Sequence, residues 1–503
     1  MMKKYKCKIC GHVIESKQKL DKNFSCPMCE VSGDLFVEVQ EKQELKEKEN
    51  DIIQDKNDRA VRISKSNPAI TKVVENCINC GICKKTCREV VGIRYEDDEV
   101  KTPVCIHCGQ CVTHCPKDAI RPKQTYRYLK ELLEKKEKIM VVSTAPAVRV
   151  ALAEEFGYEV GTFAEGKMIS ALRKLGFDYV LDITFGADLT IMEEAQEFLN
   201  RIQSGNHLPQ FTSCCPSWVK YAEIYYPELL PYLSSCKSPI GMQGSIIKTY
   251  FAEKKKISPC HIVNVVVAPC TAKKYEIQRK EMENVSRYLE IEGIRDNDYV
   301  ITTTELAKMI KEASISFDSL EEGSYDSILG KGSGAGVIFG NTGGVMQAAL
   351  RNVYYHLTGK NPPERLLHFE AVRGLEGVKE ATVTIQNMKI KVAVVQGLTN
   401  IPAIVEKLKQ NELDYRFIEV MNCKGGCIGG GGQPIHIGMN KDEIRLKRIQ
   451  GLYQEDDKLT YRSSYENSDI KRIYHEFLKK PCSKKSEALL HTKYASKTHI
   501  YFK

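Results

Sequence analysis

Cysteines at short, repeated spacings dominate the chemistry that this sequence offers. Twelve of the 20 cysteines lie before residue 116, all in groups with only two or three residues between neighbours. Two thiols that close in the chain are poorly placed to join distant segments by a disulfide, whereas they suit a shared metal. Metal binding is therefore the first hypothesis for the amino-terminal quarter of the chain.

The first of these groups consists of two Cys-x-x-Cys knuckles, Cys7 with Cys10 and Cys26 with Cys29. Four thiolates at this spacing predict a tetrahedral site for one metal ion. A module this small buries little surface, so we expect the metal to supply much of its folding energy. The segment resembles a rubredoxin-like knuckle. Structural zinc and redox-active iron both remain open, because each accepts four sulfur ligands.

Two further runs have the cysteine spacing of bacterial ferredoxins, in which the fourth cysteine of each run ligates the other cluster. We therefore assign two 4Fe-4S clusters, the first to Cys77, Cys80, Cys83 and Cys115, and the second to Cys105, Cys108, Cys111 and Cys87. Two histidines inside the second run, His107 and His114, are interpreted as surface residues rather than ligands. Two adjacent clusters form an electron wire, which implies a site where the electrons are used.

Beyond about residue 130 the sequence alternates between apolar runs and helical stretches. The runs predict buried strands over residues 138–144, 179–183, 261–267, 390–395 and 415–420, with helices over residues 189–203 and 218–226. Buried strands alternating with helices indicate an α/β domain with largely parallel sheets. Several cysteines follow strand ends, where α/β folds place their active sites.

The whole chain is therefore predicted to be a multidomain α/β protein. The predicted parts are a rubredoxin-like knuckle (1–40), a charged linker (41–66), a two-cluster ferredoxin domain (67–125) and a large α/β domain with mostly parallel sheets (130–503). Negatively charged clusters would offset much of the formal net charge of +9, so we predict no nucleic-acid partner. The apolar runs are too short to span a bilayer, and the start lacks a leader, which predicts a cytoplasmic protein without a membrane contact.

Three motifs in the large domain place four more cysteines on three loops: FTSCCPSW (211–218), APCTAKKYE (268–276) and EVMNCKGGCIGGGGQP (419–434). Cys215 precedes a proline that suits a helix start, where the helix dipole favours a thiolate. Lysines at 273 and 274 follow Cys270, and a buried lysine there needs an anionic partner. Glycines around Cys423 and Cys427 let backbone approach a bulky inorganic centre. These four cysteines can hold a third 4Fe-4S cluster.

In this order the three motifs resemble the signatures of the FeFe hydrogenases, and the resemblance extends over residues 70–500. It implies that the large domain binds an H-cluster, a 4Fe-4S cube joined through a cysteine thiolate to a diiron unit with CO, cyanide and azadithiolate. The cube ligands implied by motif are Cys215, Cys270, Cys423 and Cys427, with Cys427 bridging. Lys273 would hydrogen-bond a cyanide. The implied activity is reversible H2 oxidation and proton reduction, with a ferredoxin-like electron carrier and maturation proteins for the diiron unit as partners.

The same resemblance implies a route for protons. The family's relay matches Cys214, Glu194, Ser234, Glu197 and Arg201. Glu194, Glu197 and Arg201 are three and four residues apart, and this spacing independently predicts that they lie on one face of a helix. Such a triad taken alone is more often a solvated salt-bridge face.

Two positions depart from the family pattern. Ala268 stands where a methionine is usual, and Ile240 stands where a glutamine is usual. We expect retained chemistry with a changed potential, catalytic bias or inhibitor sensitivity. The remaining cysteines, Cys236, Cys260 and Cys482, are interpreted as free thiols.

Two other functions stay open as alternatives. One is a non-catalytic Narf-like iron-sulfur assembly protein, which shares the domain but lacks the relay thiol. The other is a hydrogen sensor, a class that usually carries an added regulatory domain. Cys214 and the intact relay favour the enzyme.

Overall fold

The computed structural model describes residues 3–7, 13–16, 20, 24, 36–39, 59–93, 104–330 and 332–501. Most of the predicted knuckle site lies outside these residues: Cys10, Cys26, Cys29 and the side chain of Cys7. The same holds for residues 40–58, which include most of the predicted linker, and for residues 94–103 between the ferredoxin runs.

The described strands form four sheets. In chain order the strands are β1 (Lys3–Cys7), β2 (Val13–Ser16), β3 (Phe36–Val39), β4 (Ile70–Lys72), β5 (Ile120–Pro122), β6 (Ile139–Thr144), β7 (Tyr179–Asp182), β8 (Gln210–Phe211), β9 (Ile262–Ala268), β10 (Tyr299–Thr302), β11 (Val378–Ile385), β12 (Met388–Gln396) and β13 (Phe417–Met421). The strand orders are β2-β1-β3, β4-β5, β10-β9-β6-β7 and β11-β12-β13-β8.

Helices lie between and around these strands. Those of eight or more residues are Ile82–Glu89, Tyr126–Lys135, Glu165–Lys174, Ile183–Ser204, Pro216–Tyr225, Pro239–Ile246, Thr303–Glu312, Gly344–Thr358, Ile401–Lys409 and Lys441–Lys458. Shorter helices are Gln110–Thr113, Pro146–Arg149, Ala252–Lys255, Ala272–Glu276, Asn284–Leu289, Gly334–Val337, Glu364–Leu367, Ser468–Ile473, Lys484–Leu490 and Thr498–Tyr501. Within the described ranges, none of the helices has the length and apolar character needed to cross a membrane.

The two large sheets confirm the predicted mixed α/β architecture with mainly parallel pairing. Every pair in the β10-β9-β6-β7 sheet is parallel. In the other sheet β12, β13 and β8 are parallel, and only β11 pairs antiparallel with β12. Strands buried on both faces explain the near-continuous valine and isoleucine runs. The five strands predicted from those runs are present, with ends that differ by at most two residues.

The carboxyl ends of neighbouring strands meet at one edge of each sheet. Thr144 at the end of β6 pairs with Val267 near the end of β9, and Ala268 pairs with Thr302 at the end of β10. In the other sheet Ile418 of β13 pairs with Phe211 at the end of β8. Loops that leave these edges are therefore brought together by strand register, although they are distant in the chain.

The long Ile183–Ser204 helix is buried on several sides. Ile191 and Phe198 pack in a cluster with the Gly344–Thr358 helix and with β12 and β13. Phe185 and Leu189 pack in another cluster with the Pro239–Ile246 helix. A helix that is apolar around most of its circumference belongs to a core, so any polar side chain on it is held in a fixed environment.

One buried ion pair lies in the large domain and also contacts the segment around Leu489. We expect its loss to lower the stability of the protein. Lys237 Nζ lies 2.5 Å from Asp296 Oδ2, with both side chains almost fully buried, and it also donates to the Leu489 carbonyl at 2.9 Å. We expect Lys237→Met to lower the free energy of unfolding by about 3–5 kcal/mol, because it leaves a buried carboxylate uncompensated. Denaturant unfolding of the metal-free chain measures this.

The matched control removes a lysine from an exposed pair. Lys311 lies 2.9 Å from Glu155 and about half of its side chain is exposed. Lys311→Met should lower the stability far less, because solvent screens such pairs. Equal losses in the two variants would show that the buried pair does not stabilise the domain.

Candidate functional site

The ferredoxin cysteines lie in two groups that follow the crossed pattern. Burial raises the pKa of Cys83, and the nearby Cys115 thiol adds to the shift. Burial also raises the pKa values of Cys108 and Cys111 well above the usual range, and Cys87 is the next cause for both. The first group lines one concavity and consists of Cys77, Cys80, Cys83 and Cys115.

The four predicted cluster ligands of the large domain also meet. Cys215 precedes the Pro216–Tyr225 helix, Cys270 follows β9, and Cys423 and Cys427 follow β13. Burial raises the pKa of Cys423 well above its usual range, and the thiols of Cys270, Cys215 and Cys427 add to the shift. Burial raises the pKa of Cys427 to about 12, again with Cys270 and Cys215 as the next causes. The three loops therefore bring the predicted ligands together.

The donor set fits a 4Fe-4S cube. Burial, and after it the repulsion from neighbouring thiolates, favours the protonated forms of Cys270, Cys423 and Cys427 in the protein alone. A multivalent iron centre removes that repulsion and takes soft thiolate ligands. The burial that penalises free thiolates is therefore the environment that a shared cluster requires.

Lys273 supplies a fixed positive charge beside this group. Its Nζ lies 2.7 Å from Glu276 Oε2 and donates to the Cys214 carbonyl at 3.0 Å. Burial alone would lower the pKa of Lys273, but Glu276, Cys270 and Cys214 outweigh it, so the pKa is raised. The predicted need for an anionic partner is confirmed, and Glu276 meets it. The neighbouring lysine at 274 pairs instead with Glu305, at 2.8 Å.

The five residues of the predicted relay lie near one another. Glu194 is the largest cause, after burial, of the raised pKa of Cys214. Ser234 Oγ donates to Glu197 Oε2 at 2.8 Å, and Arg201 Nη2 lies 2.8 Å from Glu197 Oε1. Glu194, Glu197 and Arg201 all lie on the Ile183–Ser204 helix. The row leads from the half-buried thiol to a partly exposed guanidinium group.

The two carboxyl groups of this row have opposite pKa shifts. Burial raises the pKa of Glu194 to about 8, and the charge of Glu197 adds to the shift. Burial acts on Glu197 too, but Arg201 and then His491 outweigh it, so the pKa of Glu197 lies below its usual value. At neutral pH Glu194 is therefore protonated and Glu197 is ionised. Two carboxyl groups with separated pKa values are typical of sites that donate and accept protons.

Three further residues hold Glu197, and the sequence did not single them out for that role. Ser235 donates to Glu197 through its backbone N and its Oγ at 3.1 and 3.2 Å, and Cys236 Sγ donates at 3.7 Å. His491 Nδ1 lies 2.8 Å from Ser235 Oγ. The adjacency of Ser235 to Ser234 was the one local signal, because His491 comes from the far end of the chain. Cys236 is buried, Cys482 is half-buried and Cys260 is exposed, and their interpretation as free thiols stays a prediction.

The interpretation of His107 as a surface residue is wrong. Only 6% of it is exposed, and its Nε2 lies 2.8 Å from Lys220 Nζ while its Nδ1 lies 3.2 Å from Asn67 Oδ1. The Thr271 hydroxyl also donates to the His107 carbonyl at 2.7 Å. The large domain covers the loop that contains His107. Cysteine spacing within the loop does not indicate which other part of the protein will pack on it. His114 is half-buried.

The two positions that depart from the family pattern lie in one apolar cluster. Ala268 ends β9, two residues before Cys270, and packs with Ile240, Val266 and Val300. Both Ala268 and Ile240 are almost fully buried. The effect of this pair on the site stays a prediction.

Known proteins share this arrangement of motifs and fold. A family model described as the iron-only hydrogenase large subunit, C-terminal domain, matches residues 138–431. The chain belongs to the iron-only hydrogenase family. Models for the iron hydrogenase small subunit and for a 4Fe-4S binding domain match residues 442–497 and 101–121.

Individual hydrogenases agree with this assignment. The chain is 40% identical to iron hydrogenase 1 of Clostridium pasteurianum over 87% of this chain and 78% of that one. It is 50% identical to the periplasmic [Fe] hydrogenase large subunit of Nitratidesulfovibrio vulgaris, over 59% of this chain and 69% of the relative. The structure of an apo [FeFe]-hydrogenase from Chlamydomonas reinhardtii superposes with a TM-score of 0.63 and 39% identity, covering 73% and 99% of the two chains. The protein is a hydrogenase with a ferredoxin-like 4Fe-4S domain.

The assembly-protein alternative is more distant. A cytosolic Fe-S cluster assembly factor, narfl, of Danio rerio is 30% identical over 73% of this chain and 89% of its own length. The higher identity to hydrogenases favours the enzyme.

The raised pKa of Glu194 can be measured directly. Between its usual value of 4.5 and about 8, the folded protein keeps a proton that the unfolded chain releases, so this group stabilises the fold less as the pH rises. We expect an infrared signal of a protonated carboxyl that is present at pH 7, disappears around pH 8 and is absent from Glu194→Gln protein. Glu197→Gln protein should keep it. A signal that still titrates around pH 8 in the Glu194 variant would contradict the assignment. Glu419, whose pKa burial raises to about 7, is expected to give a separate signal in both proteins.

Proposed function

We propose that this hydrogenase interconverts dihydrogen with protons and electrons at an H-cluster held by Cys215, Cys270, Cys423 and Cys427. The observation that carries the proposal is the meeting of four half-buried thiols from three loops beside Cys214 and Lys273. When bound, the H-cluster supplies the iron chemistry that splits or forms dihydrogen. The protein contributes ligands, charge, protons and electrons.

Lys273 fixes the charge balance of this site. Because Glu276 holds it at 2.7 Å, the ammonium group stays ionised and in place although it is buried. A fixed buried cation stabilises an anionic ligand without reorganisation, which suits a cyanide of the diiron unit. Its bond to the Cys214 carbonyl also holds the relay loop against the cluster loops.

Protons would pass along Cys214, Glu194, Ser234, Glu197 and Arg201. Glu194, with a pKa of about 8, both gives up and takes a proton near neutral pH. Glu197 stays ionised beside Arg201 and accepts hydrogen bonds from Ser234 and Ser235, so it marks the solvent side of the route. The direction of proton flow follows the direction of turnover.

Electrons would reach the site through two 4Fe-4S clusters. The first would be held by Cys77, Cys80, Cys83 and Cys115, and the second by Cys87, Cys105, Cys108 and Cys111. The crossed grouping of these thiols supports that division. Cys80 is exposed, which makes the first cluster the natural contact for a ferredoxin-like carrier.

The proposal also covers the amino-terminal knuckle, the maturation of the enzyme and its location in the cell. Cys7, Cys10, Cys26 and Cys29 would bind one iron or zinc ion. Maturation proteins would insert the diiron unit, and a cytoplasmic location is proposed although one hydrogenase relative is named as periplasmic.

The diiron unit gives the sharpest test of the proposal. In matured protein we expect metal-carbonyl infrared bands, a region in which protein groups do not absorb, together with dihydrogen turnover. Cys427→Ser should lose the bands and the turnover, because it removes one thiolate ligand of the site. The matched control, Cys260→Ser, changes an exposed thiol outside the ligand set and the relay and should keep both. Full turnover by the Cys427 variant would overturn the proposal.

The relay makes a separate prediction. Glu194→Gln keeps the shape of the side chain but removes its acid-base function, so we expect turnover to fall by roughly 10²–10⁴-fold with unchanged carbonyl bands. Asp188→Asn is the control on the same helix, since Asp188 is held by Ser333, Ser464 and Asn467 outside the row. A Glu194 variant as active as the control would exclude Glu194 from the route.

A further inference from the structure

One amide side chain crosses the junction between the ferredoxin domain and the large domain. Gln110 lies between Cys108 and Cys111 in the second ferredoxin run and is 2% exposed. Its Nε2 donates to Cys423 Sγ at 3.1 Å and to the Gly429 carbonyl at 3.1 Å. The residue that sits inside the loop of one cluster therefore contacts a thiol proposed to hold another.

The backbone on both sides of this contact is packed without room for side chains. A Cβ on Gly109 would lie 2.5 Å from Thr271 Oγ1, and a Cβ on Gly431 would lie 2.6 Å from Gly109 Cα and 2.7 Å from the Cys108 carbonyl. Gly109 also has a φ of 69°, in the left-handed region that favours glycine. The two loops thus approach as closely as backbone allows, and Gln110 is held in one place.

The thiols on either side of the junction are electrostatic neighbours. Cys423 contributes to the raised pKa of Cys108, after burial and the nearer thiols of its own group. Cys423 has a second amide donor, Asn422 Nδ2 at 3.6 Å, which comes from its own loop. Gln110 is the donor to this sulfur that comes from the ferredoxin side.

We propose that Gln110 is a positioning residue for electron transfer. Through Cys423 it tunes the reduction potential of the third cube, which is the 4Fe-4S part of the H-cluster, and it links this cube to the second ferredoxin cluster. This inference rests on the proposed function. A hydrogen bond to a cluster thiolate stabilises the more negative, reduced cluster, so it raises the reduction potential. In the step itself one electron leaves the second ferredoxin cluster and enters the third cube, or the reverse, and no bond is broken. The short Gln110 bridge holds the donor and acceptor loops in contact for that step.

The test measures the potential of the third cube without using enzyme turnover. The full chain is produced without the diiron maturation proteins, its 4Fe-4S clusters are reconstituted, and reduction is followed by electron paramagnetic resonance at set potentials. The signal of the third cube is identified by its loss in Cys270→Ala protein. Gln110→Met removes both amide hydrogens at nearly constant length, and Gln110→Leu does so with another shape.

At a fixed potential near the midpoint, we expect the ratio of reduced to oxidised third cube to fall roughly three- to tenfold in both Gln110 variants. Thr271→Val is the matched control. It removes a hydrogen bond across the same junction, from Thr271 Oγ1 to the His107 carbonyl, without touching a sulfur atom, so the ratio should stay unchanged.

The other outcomes overturn the inference. An unchanged ratio in a Gln110 variant that keeps the third cube would show that the amide does not tune it. Loss of the third cube in both Gln110 variants would show that the amide is needed to assemble that cube and does not tune its potential. A wild-type chain without a third cube would overturn the proposed function as well, which distinguishes the two failures.

Discussion

The repulsion among buried thiolates is the constraint on which the rest of the site depends. Burial raises the pKa values of Cys270, Cys423 and Cys427, and the charges of the neighbouring ligand thiols add to each shift. Without a metal centre, the ionised ligand set would be strongly unfavourable there. The parallel sheets bring the ligand loops together, because strand register fixes where each loop begins. Cluster binding then compensates the thiolate charges, so cofactor loading is coupled to the stability of the loops.

Buried ion pairs also fix the position of the loop that follows Cys270. Lys273 with Glu276, and Lys274 with Glu305, tie the segment after Cys270 to its own helix and to the Thr303–Glu312 helix. Such pairs do not add much net stability relative to apolar packing, but breaking one leaves a charge without a partner. Their effect is to allow one arrangement of the loops and to penalise others. A site that exchanges single electrons and protons benefits from that restriction, since little reorganisation accompanies each step.

The proposed routes for protons and electrons use different elements of the fold. The proton row uses one helix, whose apolar surroundings raise the pKa of Glu194 while Arg201 lowers that of Glu197. The proposed electron route uses the ferredoxin loop, which packs on the large domain through Gly109, Gln110 and the Gly431 backbone. Placing the routes on separate elements lets each be tuned by local contacts without disturbing the other.

The sequence by itself determined the fold class, the strands and the grouping of cysteines, because apolar runs and ligand spacings are local patterns. It also determined the hydrogenase family, since the three motifs are short and contiguous. Only the tertiary structure decided that Glu276 is the partner of Lys273, that His107 is buried against Lys220, that Ser235 and His491 hold Glu197, and that Gln110 reaches Cys423. These contacts join residues brought together by packing between elements and domains. Burial and partner choice depend on that packing, and no spacing along the chain encodes it.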